Sequence, residues 1–218
     1  MIKDIIVFSS VDEAVSILNR YASGFDFPVN KKSKKQIIFD SVSSNIFRAF
    51  RIFEYSPSVI YRGWATENFD LVIEDFRKVQ TNEDYYNLVF KYGDSLIERW
   101  ADKTRQTDSY LIYGQSLKMI NLLIKTIQQS SDYKLMDKNK YQQVPFDSFS
   151  LKPLRLINNE LTGLNYKIAI PSNVSMGFIN TPQLYRIIMD SVYKLCNEAK
   201  IDPIIYDYWC WEDKHLKH

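Results

Sequence analysis

One run constrains this chain more than any other. From Tyr110 the sequence reads YLIYGQSLKMINLLIKTIQQ, then a polar connection, then VPFDSFSLKPLRL to Leu156. In its first part Leu111, Leu117, Ile120, Leu122, Leu123, Ile124 and Ile127 are too many for one narrow stripe. A helix apolar over most of its circumference belongs at the centre of a domain. The Tyr110–Ile127 helix is therefore expected to be the most buried element. Lys118 interrupts it, and a lysine is costly to bury without a partner. Two fates are open to this side chain. Its stem can lie along the core with the ammonium in water. Alternatively, apolar surroundings can favour the neutral amine, which is a nucleophile. Beyond the polar connection, Val144-Pro145 gives an extended entry and Asp147 an N-cap for a second helix.

The composition narrows the chemistry. The chain has 218 residues, 45% hydrophobic and 15% aromatic, which is enough for a substantial core. The formal net charge is only +2, so this is not a generic polycation. Six glycines and seven prolines favour long helices over many turns. No run is long enough for a membrane helix, and MIKDIIVF lacks the apolar core of a signal peptide. Cys196 and Cys210 are read as free thiols in a reducing compartment, so a cytoplasmic protein is expected. The two histidines, His215 and His218, stand at the extreme C-terminus, which leaves the body without a Ser-His-Asp or Cys-His system. Two isolated cysteines without histidine do not supply a zinc site. Neither GxxxxGK[ST] nor GxGxxG occurs, so there is no standard phosphate cradle. No metal or cofactor is expected, and chemistry falls to Lys, Asp, Glu, Tyr, Ser or Cys.

In chain order, residues 2–8 read as a short strand or a first helical turn. Ser10 with Glu13 forms a capping box for a helix to about Tyr21. Lys31, Lys32, Lys34 and Lys35 sit at the front of a helix continuing through Tyr55. Lysines in a first turn oppose the helix dipole, as a phosphate-contacting patch or a solvated face would. Ser56, Pro57 and Gly63 frame a loop. Thr66 caps a helix to about Val79, and Thr81 with Asp84 caps another to about Trp100. Gly93 inside that helix points to close packing. Thr107 or Asp108 starts the central helix. Residues 130–143 read as a polar solvent loop in which Lys134, Lys138 and Lys140 mix with Tyr133 and Tyr141, as in nucleic-acid contact loops. The Asp147 helix tolerates Pro153 near its start and ends at Gly163. Residues 164–180 form a loop with one short strand. Thr181-Pro182 and Asp202-Pro203 open the last two helices. The expected fold is all-α, a multi-helix single domain over 1–218. Its bilobed variant has helical sublobes of about 1–105 and 106–218 with a cleft between them.

These residues carry a resemblance over about the C-terminal half. A helix with K-x-I-x-x-x-x-K (Lys118, Ile120, Lys125), then a loop, then Pro145 shortly before Asp147-Ser148, resembles the archaeal 8-oxoguanine branch of the helix-hairpin-helix DNA glycosylases. Asp207, four residues before Trp211 in the last helix, adds a weaker match. The resemblance implies an all-α base-excision enzyme with an abasic lyase step. Lys118 would be the nucleophile, with Lys125 the alternative, and Asp147 its partner. Trp211 would stack on the extruded base, with Asp207, Gln115 and Gly114 as further substrate contacts. It implies double-stranded DNA as partner, and the basic clusters Lys31, Lys32, Lys34, Lys35, Lys134, Lys138 and Lys140 are the lysines expected to contact it; a monomer is expected. The L-P-G-x-G hairpin of the family is absent, and Tyr113-Gly114 stands near its place. The alternative from the residues is a non-enzymatic all-α protein that binds nucleic acid, a nucleotide or a protein.

Overall fold

The computed structural model describes residues 6–47, 56–104, 111–133, 135, 139–163 and 168–215. It is all-α. Among the described residues the only β pairing is an isolated bridge between Asn30 and Ser130. The chain forms two compact units. A terminal unit combines Met1–Asp26 with Asn139–His218, and an inserted unit spans Phe27–Lys138. The division is thus not at residue 105, which falls inside the inserted unit.

The inserted unit holds α2 (Lys34–Ser41), α3 (Ser44–Phe47), α4 (Pro57–Phe76), α5 (Asn82–Thr104) and α6 (Tyr113–Gln128). The α6 helix is the central run, and twelve of its sixteen residues are buried. Thr107 and Asp108, its expected starts, lie outside the described residues. Its first turn is closed instead by Gln115, whose Oε1 accepts from the Ile112 amide at 3.1 Å. Two of its interior polar side chains donate to their own helix. Asn121 Nδ2 donates to the Leu117 carbonyl at 2.9 Å and Thr126 Oγ1 to that of Leu122 at 2.8 Å. The α5 helix packs on α6 through Gly93. A Cβ there would lie 2.6 Å from Leu117 Cδ2 and 3.4 Å from Ser116 Oγ, so a larger residue requires the buried Leu117 side chain to shift.

The caps of α5 are those expected. The Asp84 amide donates to Thr81 Oγ1 at 3.0 Å and the Thr81 amide to Asp84 Oδ2 at 2.9 Å. Around α4 the expectation is corrected. Ser56 to Gly63 is not a loop but the first two turns of a twenty-residue helix. Pro57 sits at its start, where a missing N–H removes no bond. Thr66 is interior rather than a cap, and its hydroxyl donates to the Arg62 carbonyl at 2.7 Å. The helix expected from Lys31 to Tyr55 is likewise corrected. Ser33 and Gln36 cap α2 reciprocally, the helix ends at Ser41, and Val42 is extended. The α3 helix then starts afresh, and residues 48–55 lie outside the described set.

The terminal unit holds α1 (Val11–Ala22), α7 (Ser148–Leu151), α8 (Asn158–Thr162), α9 (Pro182–Glu198) and α10 (Pro203–His215), with 3₁₀ turns at Asn139–Tyr141, Lys152–Leu154 and Met176–Phe178. Ser10 caps α1, accepting from the Glu13 amide at 3.2 Å. Glu13 completes no reciprocal box with Ser10; its carboxylate turns back to the Ser9 amide and hydroxyl. The helix expected from Asp147 to Gly163 is broken into α7, a 3₁₀ turn and α8. Pro153 supplies no N–H, so the α ladder cannot run through it. Gly163 ends α8 in the left-handed region at φ +60°. Thr181 caps α9 with Pro182 at its first position, as expected. No strand occurs in the described part of 164–180. Phe8 anchors the N-terminal segment, stacking on Trp209 at 4.9 Å and donating its amide to the Pro153 carbonyl at 3.1 Å. Among the described residues no helix is long and apolar enough to cross a membrane.

Gly63 in α4 and Gly93 in α5 should respond oppositely to substitution. Gly93→Val is expected to destabilise by about 2 kcal/mol through overpacking against Leu117. Gly63, whose Cβ would meet only Arg99 Nη2 at 4.0 Å, should gain up to about 1 kcal/mol as Ala. Thermal melts followed by circular dichroism check both.

Candidate functional site

Among the described residues three charged side chains are buried: Lys118 at 4% exposure, Asp147 at 6% and Asp207 at 0%. Charges are rarely buried unless paired or used. These are three of the residues the sequence singles out.

Lys118 belongs to the inserted unit. It sits in the second turn of α6 between the fully buried Leu117 and Met119. At 4% exposure it is buried rather than set on the surface of the helix. Lys125, seven residues on, is half-buried. Gly114 is buried in the first turn, and Gln115 uses its carbonyl oxygen to hold the Ile112 amide.

Asp147, Asp207 and Trp211 belong to the terminal unit, and α7 packing on α10 brings them to one region. Asp147 is the N-cap of α7. Its Oδ1 accepts from the amides of Phe149 at 2.8 Å and Ser150 at 3.2 Å. Its own amide donates to Ser150 Oγ at 2.9 Å. Both cap bonds go to one oxygen, so the helix fixes the carboxylate's direction while leaving Oδ2 out of the cap. Asp207 lies one turn before Trp211 on α10, and the Trp211 ring packs 5.5 Å from that of Phe149 on α7. The Tyr206 hydroxyl, also from α10, donates to the Ser150 carbonyl at 2.6 Å. Cys210 reports on the same region. Burial pushes its thiol well above the ordinary range, and the negative charges of Asp207 and Asp147 act in the same direction. Cys196 is raised as well, by burial first and then by Asp202.

The expected DNA-contacting lysines are not one open cationic face. Lys32 pairs with Asp40 and Lys34 with Asp70, each at 2.9 Å, and Lys34 also lies over the Phe69 ring. Lys31 and Lys35 are exposed. Lys140 is exposed, with its ammonium 4.5 Å from the Tyr141 ring centre. Lys134 and Lys138 lie outside the described residues. Tyr133 packs edge-on against Phe69 at 5.3 Å, which makes it a packing residue in part.

The polar-loop reading of residues 130–143 fails at its end. Gln142 and Gln143 are fully buried and begin a buried segment running to Asp147. Gln143 Oε1 accepts from the Tyr185 hydroxyl at 2.8 Å. The available signal was their place directly before the apolar Val144-Pro145-Phe146. Among the described residues no group of three or more His, Cys, Asp or Glu is placed to hold a metal ion.

Comparison with protein-family models, curated proteins and solved structures finds no match.

Both cysteines are free and buried with raised pKa values, and the thiolate is the reactive form. The native protein at pH 8.5 should therefore show negligible reaction with a thiol-specific reagent over minutes. Both thiols should react once denaturant is added, which a colorimetric thiol assay measures directly.

Proposed function

We propose that this chain is a DNA base-excision glycosylase with an abasic lyase step, in which Lys118 is the nucleophile and Asp147 the assisting carboxylate. The observation that supports this reading is a coincidence of burial and motif. The three buried charges of the described chain are the lysine and the two aspartates that the family resemblance selects. In a chain whose other described charged residues all reach solvent to some degree, that is where chemistry with an amine and a carboxylate would be expected.

The chemistry needs no further group. The nucleotide is extruded at a cost of a few kcal/mol, recovered by stacking and hydrogen bonds. The Lys118 amine forms a bond to C1′ as the glycosidic bond breaks, and the base departs with the bonding pair and takes up a proton. Positive charge that develops on the sugar is stabilised by the Asp147 carboxylate, held in a fixed direction by the α7 cap. Loss of the amine proton and opening of the sugar ring leave a Schiff base, from which β-elimination breaks the strand. Trp211, half-buried on α10, is the aromatic for stacking, with Asp207 beside it on the same helix face.

Borohydride trapping with damaged or abasic duplex DNA tests the reading. The wild-type protein should form a covalent adduct. Lys118→Gln should form none and release no base, with its melting temperature little changed, whereas Lys125→Gln should still be trapped. Asp147→Asn separates the cap from the chemistry. Asn caps a helix about as well as Asp, so stability should hold within about 0.5 kcal/mol while base release falls on the order of 100-fold. A wild-type protein that yields no adduct would return the chain to the non-enzymatic binding class.

DNA binding by this protein should depend on salt. Replacing the exposed Lys31, Lys35 and Lys140 by Gln should flatten the slope of log K against log salt by about one unit for each phosphate that is no longer neutralised. Lys32→Gln and Lys34→Gln, at positions already paired with carboxylates, should do less. Anisotropy titrations between low and moderate salt measure the slopes, and unchanged slopes in the triple variant would exclude this patch.

A further inference from the structure

We propose that Gln142 reads the extruded base, donating one hydrogen bond from Nε2 and accepting one at Oε1; the inference rests on the glycosylase reading above. Gln142 is fully buried, and neither its amide nitrogen nor its amide oxygen has a hydrogen-bond partner. Buried polar side chains in folded proteins are ordinarily bonded, and one that is not asks for an explanation. Its neighbour Gln143 provides the contrast, being equally buried but accepting from Tyr185. Gln143 thus has its oxygen paired and only its nitrogen without a partner, whereas in Gln142 both amide atoms are without one.

The position of Gln142 connects it to the other terminal-unit groups of the proposed site. It follows the 3₁₀ turn Asn139–Tyr141, which packs on α10, the helix of Asp207 and Trp211. It stands five residues before Asp147 (147 − 142), at the head of a segment buried from end to end. The amide therefore lies in sequence between the acid's helix cap and the turn that packs on the aromatic's helix.

A primary amide presents a donor and an acceptor side by side. The complement is a planar edge with an adjacent acceptor and donor. A nucleobase offers such an edge as a ring N–H next to a carbonyl, or as a ring nitrogen next to an amino group, and extrusion frees it from its pairing partner. A phosphate group or a bare deoxyribose lacks it. Gln142 should therefore matter for base release and not for the later attack on a sugar that has already lost its base.

The test uses the full chain, its Gln142→Met variant, and four duplexes: one abasic, and one each with 8-oxoguanine, hypoxanthine or uracil. Methionine matches glutamine in length and removes both amide atoms. Gln142→Met should trap the abasic duplex within about twofold of wild type, yet release base at least about tenfold more slowly, since an unmatched hydrogen-bonding site discriminates strongly. Its melting temperature should not fall, because an unpaired buried amide is removed. Should the methionine variant not fold, Gln142→Asn, which withdraws the amide by one methylene, should show the same split between the two substrates. Base release at the wild-type rate overturns the inference. So does a parallel loss of melting temperature and abasic trapping, which would make the amide structural. A wild-type protein that traps the abasic duplex but releases none of the three bases overturns the inference and leaves the lyase reading standing. A wild-type protein that forms no adduct overturns both.

Discussion

A helix buried on nearly every side has to satisfy its polar groups without help from water, and the inserted unit is built around one that does. In α6 the side chains of Ser116, Asn121 and Thr126 each donate to a carbonyl of their own helix three or four residues back. That local bonding lets polar residues occupy interior positions at little cost in unpaired groups. At Gly93 the α5 backbone takes up the Leu117 and Ser116 side chains of α6, with no side chain of its own in the contact. Lys118, at 4% exposure, is the one buried charge of α6.

The surface charges follow a different logic. Three of the ion pairs among the described residues link helices: Arg99 with Glu67 and Lys91 with Asp75 join α5 to α4, and Lys34 with Asp70 joins α2 to α4. Lys91 holds the Asp75 carboxyl below its usual range, with Tyr92 adding a second bond. Such exposed pairs contribute little each. They also leave the chain, at net charge +2, with fewer unengaged lysines than its sequence suggests.

What the sequence could tell followed the range of each interaction. Caps formed by residues three apart were legible: Ser10 for α1, Thr81 with Asp84 for α5, Thr181-Pro182 for α9 and Asp147 for α7. Gly93 was legible because a glycine within a helix has few reasons to be there other than close approach. Pro57 and Thr66 misled because the same residues serve in loops and caps, and only the surrounding packing shows Pro57 opening α4 and Thr66 inside it. Pro153 sat too far into its helix to be absorbed. Lys34 was read as part of a cationic front because Asp70, 36 residues away, could not be placed beside it from spacing. Gln142 and Gln143 carried the composition of a loop and the burial of a core. Among the candidate residues, Lys118, Asp147 and Asp207 stood out as charges inside or beside apolar runs, which is a local pattern. What partners their interior positions provide is a property of the folded chain.

The pairing of the two chain ends within one unit imposes an order on biosynthesis. Phe8 rests on Trp209, which is 201 residues later (209 − 8), and α1 packs on α9 and α10. At translation rates of about 5–20 residues per second, roughly 10–40 s separate the emergence of Phe8 from that of its partner. The inserted unit, contiguous in sequence, can complete its core during that interval. The amphipathic α1 helix cannot, and its apolar face with Val11, Ala14 and Leu18 is left to the ribosome surface and to chaperones until the last helix is made.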